Sequence, residues 1–170
     1  MAKSAYDIAP GATYNEAAHT SLRQQLDEMM SHLEGTRLGD DIEALHDMRV
    51  ASRRLRAALS VFAAAFPPKP FAALEKEVAK TTDALGAVRD GDVQIEFMQA
   101  AIDAAPESEK VGLQAFTDHL ERERNKERVL LVKELNRLEK SSFLKDFGKL
   151  LGDTPKEHSK HHGKEADTHG

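Results

Sequence analysis

The feature that most constrains the fold is a run of apolar residues at 45–66 whose spacing alternates between three and four. Residues at this spacing share one side of an α-helix, because the helix turns by about 100° per residue. The run therefore predicts a helix with a seam for a partner helix, ending before Pro67 and Pro68. The seam consists of Leu45, Met48, Ser52, Leu55, Leu59, Phe62 and Phe66.

A basic strip lies beside this seam on the same helix. It comprises His46, Arg49, Arg53 and Arg56. The strip extends over ten residue steps, which is roughly 15 Å at about 1.5 Å per residue, whereas Arg54 points away from it. Guanidinium groups match phosphate oxygens and stay charged, so the strip favours a polyanion over one small substrate. The alternative is that these arginines cover the core edge and pair with glutamates of a neighbouring helix.

The rest of the chain has helical patterns of the same kind. We expect helices at about residues 15–34, 70–104 and 109–140, a turn at 35–40 and a shorter apolar segment at 143–151. Short turns between long helices favour an all-α, antiparallel four-helix bundle with a short C-terminal helix. Within the third helix, Gly86 and Gly91 predict either a bend or the close approach of another backbone.

The two ends of the chain lack an apolar period. We expect a flexible lead-in at residues 1–14, the bundle at 15–151 and a disordered polar tail at 152–170. The tail carries His158, His161, His162 and His169. Such tracts can bind transition metals, but a flexible chain forms no fixed site, so we predict no metal site.

Composition excludes several classes of function. The chain has no cysteine, which excludes disulfides and cysteine-based zinc sites. It has no apolar run of about 18 residues and no apolar N-terminal segment, so we expect no membrane span, no signal peptide and a cytoplasmic location. The net charge of -5 argues against duplex DNA as a partner, so the basic strip must act as a local patch.

Two charged residues lie on the inward seams of their helices, Asp92 on the third and Arg124 on the fourth. Each needs a partner or water, because burying an unpaired charge is costly. One interpretation is an ion-pair network, with Arg89 and Asp90, that ties the two helices together. The other is that Arg124 and Arg128 open into the same cavity as the basic strip.

His46 allows three interpretations: a neutral side chain at the core edge, a donor to a bound anion, or a metal ligand. The metal ligand is the weakest, because no second histidine follows four residues later. No serine–histidine–aspartate order and no glycine-rich phosphate loop occurs, so we predict no catalytic residues and no cofactor.

Two motifs resemble the CHAD domain, the conserved histidine α-helical domain. They are LHDMRVASRRLRAALSVF at residues 45–62 and LGAVRDGDVQ at residues 85–94, and the similarity covers about residues 16–140. The resemblance implies two similar four-helix bundles around a basic cavity and a module that binds inorganic polyphosphate. Carried over by position, it implies binding by His46, Arg49, Arg53, Arg54, Arg56, Arg89, Arg124 and Arg128.

The chain departs from the family pattern, because nothing after residue 66 repeats the histidine-and-arginine helix of the second bundle. We therefore expect the N-terminal half, or single-bundle form, of the domain. A homodimer tightened by polyphosphate would supply the missing half, with Phe143 and Phe147 in the seal between copies. The resemblance also implies a place on polyphosphate granules.

Two other classes of function fit the residues. One is an enzyme acting on phosphoanhydrides, with Asp90 and Asp92 holding Mg²⁺ near the arginines, although two carboxylates supply few ligands for a metal site. The other is a helical adaptor whose basic strip binds an acidic protein partner. A preference for long polyphosphate chains over orthophosphate would distinguish the polyphosphate module from the adaptor.

Overall fold

A computed structural model of the chain describes residues 8–152. The fold is all-α, as predicted from the sequence. Its helices are α1 (Tyr14–Ser31), α2 (Leu33–Leu38), α3 (Ile42–Phe62), α4 (Pro68–Ala104), α5 (Glu107–Lys140) and α6 (Phe143–Leu150), with a 3-10 turn at Ala63–Ala65. The predictions for residues 1–7 and for the histidine-containing tail after residue 152 lie outside the described residues. Across residues 8–152, no helix is both long enough and apolar enough to cross a membrane.

The connection between α1 and α3 differs from the predicted turn at 35–40, because most of it is helical. Gly35, taken as part of a turn, instead lets α2 pack against α3: a Cβ there would lie 2.9 Å from the Cβ of Ala44. The turn comes later, at Gly39, whose φ of 78° ends α2 in the left-handed region. Asp41 then caps α3 by accepting a hydrogen bond from the Glu43 backbone N–H at 2.9 Å.

The predicted seam of α3 forms much of the core. Its residues from Leu45 to Leu59 are buried, whereas Phe62 at the end of the helix is only partly buried. The same core includes Phe143 and Phe147 of α6, which are 3% and 0% exposed. The prediction that these two phenylalanines seal a dimer is therefore wrong, because α6 closes the core of its own chain.

Helix α4 packs against both α3 and α5. Arg56 of α3 approaches Asp83 of α4, and Ile42 at the start of α3 lies near Asp92, so α3 and α4 run in opposite directions. The helix α5 packs along α4 over much of its length. A Cβ on Gly91 would lie 2.8 Å from the Cβ of Arg124, which confirms the close helix approach predicted there.

Candidate anion-binding groove

A groove of about 440 Å³ separates α3 from α4. The α3 wall consists of Arg49, Arg53 and Arg56, which the helical repeat brings to one side. The α4 wall consists of Thr82, Asp83, Gly86, Ala87 and Asp90. Since Gly86 has no side chain and a Cβ there would meet nothing within 4 Å, the middle of the groove stays open.

The three groove arginines differ in their partners. Arg56 lies 3.5 Å from Asp83, and both side chains are well exposed, so this ion pair is weak. Among residues 8–152, the guanidinium groups of Arg49 and Arg53 have no hydrogen-bonding or ion-pair partner. The groove therefore holds two guanidinium groups whose donors are available to a ligand, beside the acidic side chains of Asp83 and Asp90.

His46 lies in a neighbouring recess rather than in the groove. This recess has a volume of about 220 Å³ and is lined by Ile42, Glu43, His46, Arg89 and Glu96. Arg89 is 3.3 Å from Glu96 on its own helix. The remaining arginine of the predicted set on α3, Arg54, is exposed and lines neither the groove nor the recess.

Arg124 is held by a buried carboxylate. Its Nε donates to Asp92 Oδ1 at 2.6 Å, and Asp92 is only 5% exposed. The other oxygen, Asp92 Oδ2, is buried without a hydrogen-bond partner in the described part of the chain. This arrangement fits the predicted ion pair between the two helices. Arg89 and Asp90 are not part of it, because they line the recess and the groove.

The guanidinium of Arg128 binds the C-terminal end of α2. It donates to the carbonyl oxygens of Thr36 at 2.6 Å and Arg37 at 2.9 Å. These carbonyls belong to the last turn of a helix, where backbone acceptors lack intrahelical partners. Burial, and then the nearby charge of Arg124, lower the pKa of Arg128. The same guanidinium fills the space that a Cβ on Gly39 would need.

The CHAD domain model matches residues 20–169, which is most of the chain. This chain belongs to the CHAD family. The match begins at residue 20, slightly after the expected start at residue 16, and extends past the expected end at residue 140. No curated protein and no solved structure matches the chain.

The two CHAD motifs supply the two walls of the groove. Residues 45–62 contribute the three arginines of the α3 wall, and residues 85–94 contribute Gly86, Ala87 and Asp90 of the α4 wall. Sequence reasoning missed Thr82, Asp83 and Gly86 as wall residues. Thr82 and Gly86 lie four residues apart, as do Asp83 and the equally missed Ala87, and this helical spacing along one face was the available signal.

The structure divides the basic residues predicted to bind among four places, and Arg54 lies in none of them. Arg49, Arg53 and Arg56 line the groove, and His46 and Arg89 line the recess. Arg124 joins α5 to α4, and Arg128 joins α5 to α2.

The two carboxylates considered for Mg²⁺ are also separated. Asp90 lines the groove, whereas Asp92 pairs with Arg124. Within residues 8–152, no cluster of three or more histidine, cysteine, aspartate or glutamate side chains is arranged to hold a metal ion.

Proposed function

We propose that this CHAD chain binds inorganic polyphosphate, without catalysis, in the groove between α3 and α4. The observation that carries the proposal is the pair Arg49 and Arg53, which line an open groove without partners among the described residues. The CHAD family is associated in general with polyphosphate binding. The groove lies between the two motifs that mark the family in this chain.

The shape of the groove favours a linear polyanion over a compact one. Its three arginines follow the α3 axis, so a polyphosphate chain lying along α3 would meet the three guanidinium groups one after another. Gly86 leaves room for the chain opposite the arginines. Asp83 would give up its contact with Arg56 at small cost, because the pair is exposed and 3.5 Å apart.

The remaining basic residues have different proposed roles. A chain longer than the groove would reach the recess, where His46 and Arg89 offer further donors, and Arg54 adds positive charge nearby. Arg124 and Arg128 act indirectly, since their donors are engaged by Asp92 and by the end of α2. We further propose, from family membership, a cytoplasmic protein that associates with polyphosphate granules. Because the sequence has only one histidine-and-arginine helix, we also propose that it assembles as a homodimer.

Titration of the purified chain with long-chain polyphosphate, orthophosphate and an acidic polypeptide tests the proposal. We expect tight binding of long-chain polyphosphate alone, and loss of that binding in the triple variant Arg49→Glu, Arg53→Glu, Arg56→Glu. The matched control is Arg122→Glu, Lys126→Glu, Lys133→Glu, which reverses three exposed charges on α5 away from the groove. The control keeps most of the affinity if the groove is the site.

Four results would overturn the proposal. Unchanged affinity in a folded groove variant would refute the site, and equal loss in both triple variants would reduce the effect to net charge. Preferential binding of the acidic polypeptide would favour a protein adaptor instead. Release of orthophosphate from polyphosphate by the chain would favour an enzyme.

A further inference from the structure

The hairpin formed by α4 and α5 extends beyond the rest of the bundle. α4 has 37 residues and α3 has 21. Ile42, the first residue of α3, lies level with Asp92 and Ile95, so α3 does not extend past these residues toward the turn between α4 and α5. Between residues 97 and 120, only Ile102 and Thr117 are buried. We call residues 97–120 the distal hairpin.

An apolar stripe on α4 lacks a partner in the described part of the chain. It consists of Val93, Phe97, Ala100 and Ala104, spaced four, three and four, and each of them is exposed. Phe97 is 73% exposed, and the only other phenylalanine in residues 8–152 that is more than half exposed, Phe116 at 51%, also lies in the distal hairpin. The same spacing on α3 gives a buried seam. We call these four residues the exposed α4 seam.

We propose that the exposed α4 seam binds the same seam of a second copy of this chain, with the two α4 helices antiparallel about a two-fold axis. Such an axis makes one apolar stripe complementary to itself. The midpoint of the seam falls between Phe97 and Ala100, so each Phe97 faces Ala100 of the second copy. A large side chain opposite a small one lets the helices approach closely.

Charge complementarity favours a second copy in this orientation. The seam continues along the same α4 face into Asp90 and Gly86, which line the groove beside Arg49 and Arg53. In the antiparallel pair, the end of the distal hairpin lies toward the groove of the other copy. That end carries Glu107 and Glu109 in the first turn of α5, against one cation, Lys110, whose Nζ lies 3.0 Å from Glu107. An acidic end therefore approaches a basic groove at both ends of the interface, because the three groove arginines outnumber the like charges of Asp83 and Asp90.

Sedimentation of the full chain at micromolar concentration, without polyphosphate, tests the surface. We expect a dimer for the wild-type chain and a monomer for Phe97→Glu, with unchanged helix content because Phe97 is largely outside the core. Val61→Glu is the matched control, since Val61 is 65% exposed at the opposite end of the bundle and its variant stays dimeric. No polyanion is present, so failure here leaves the polyphosphate proposal untouched.

A mixing experiment tests the orientation. Phe97→Glu and Ala100→Lys are each monomeric alone, but an equimolar mixture forms a heterodimer, because the introduced carboxylate and ammonium face each other while one Phe97–Ala100 contact is retained. A monomeric wild-type chain, or a dimer that survives Phe97→Glu, overturns the surface. Loss of the dimer in both variants without rescue on mixing overturns the antiparallel orientation.

Discussion

Arginines of this chain behave differently on the two sides of α4. On the side facing α3, Arg49 and Arg53 line an open groove, and their guanidinium groups have no partner among residues 8–152. On the side facing α5, Arg124 is bound to the buried Asp92. Arg128, on the same helix, donates to two backbone carbonyls of α2. All four residues fit a basic family pattern, yet only the first pair keeps its donors available.

The difference teaches that the neighbours of an arginine, and not its place in a motif, decide whether it binds a ligand or stabilises the fold. A guanidinium that already donates to a buried carboxylate would leave an uncompensated charge if it turned to a ligand. A guanidinium that faces solvent exchanges only water for phosphate. Mutation of each class should therefore separate stability from binding.

The largest effect is expected for Arg124→Ala. Removing the guanidinium leaves Asp92, 5% exposed, without its ion-pair partner, so the free energy of unfolding should fall by about 3 kcal/mol. Arg122→Ala, on the exposed face of the same helix, should change it by less than about 0.5 kcal/mol. Urea denaturation measures both. Reduced polyphosphate affinity at unchanged stability would instead put Arg124 in the binding site.

A smaller effect is expected for Arg128→Ala, which removes two charged hydrogen bonds to the end of α2. The free energy of unfolding should fall by about 2 kcal/mol, with unchanged polyphosphate affinity in the folded protein. Gly39→Ala should also destabilise, because its φ is 78° and its Cβ would lie 2.0 Å from Arg128 Nη2. Since Arg128→Ala removes that clash, the double variant should lose less than the sum of the two. Additive losses would contradict the contact.

The smallest effect concerns Glu77, which forms a less buried counterpart of the Asp92 pair with Arg137. Burial raises its pKa, but hydrogen bonds from Lys80 and Arg137 outweigh burial and lower the pKa below its ordinary value of 4.5. A lowered pKa stabilises the fold above the ordinary value, and this stability is lost as pH falls through the lower, folded value. The stability advantage of the wild type over Glu77→Gln should therefore shrink from about pH 5 to about pH 3.

The size of the stability advantage of the wild type over Glu77→Gln can be compared with the loss expected for the buried pair of Asp92 and Arg124. Arg137 is 41% exposed, so solvent screening should keep the advantage below about 1 kcal/mol. Thermal denaturation of both proteins across this pH range measures it. An advantage that stays constant or grows on acidification would contradict the lowered pKa.

The parts of the fold that depend on side-chain periodicity could be predicted from the sequence. The seam of α3 was predictable because apolar residues repeat at helical spacing over several turns. The pair of Asp92 and Arg124 was anticipated because both residues break that apolar pattern on facing helices. Gly35 was misassigned to a turn, since a glycine that allows close packing and a glycine that ends a helix look alike in sequence.

The parts of the fold and of the site that depend on backbone groups, or on the lack of a side chain at a glycine, could not be predicted from the sequence. The partners of Arg128 are backbone carbonyls about 90 residues away, and carbonyls carry no sequence signature. The α4 wall of the groove owes its shape to the absent side chain of Gly86. The basic strip was visible on α3, but its division between the groove and the recess of His46 depends on how α4 packs against it.

The salt dependence of polyphosphate affinity tests most directly whether Arg49 and Arg53 contact phosphate. Each phosphate that a guanidinium neutralises releases counterions and steepens the fall of log K with log salt concentration by roughly 0.7 to 0.9. For the double variant Arg49→Ala, Arg53→Ala, we expect a slope shallower than that of the wild type by roughly 1.5. An unchanged slope in the folded double variant would contradict phosphate binding by these two arginines.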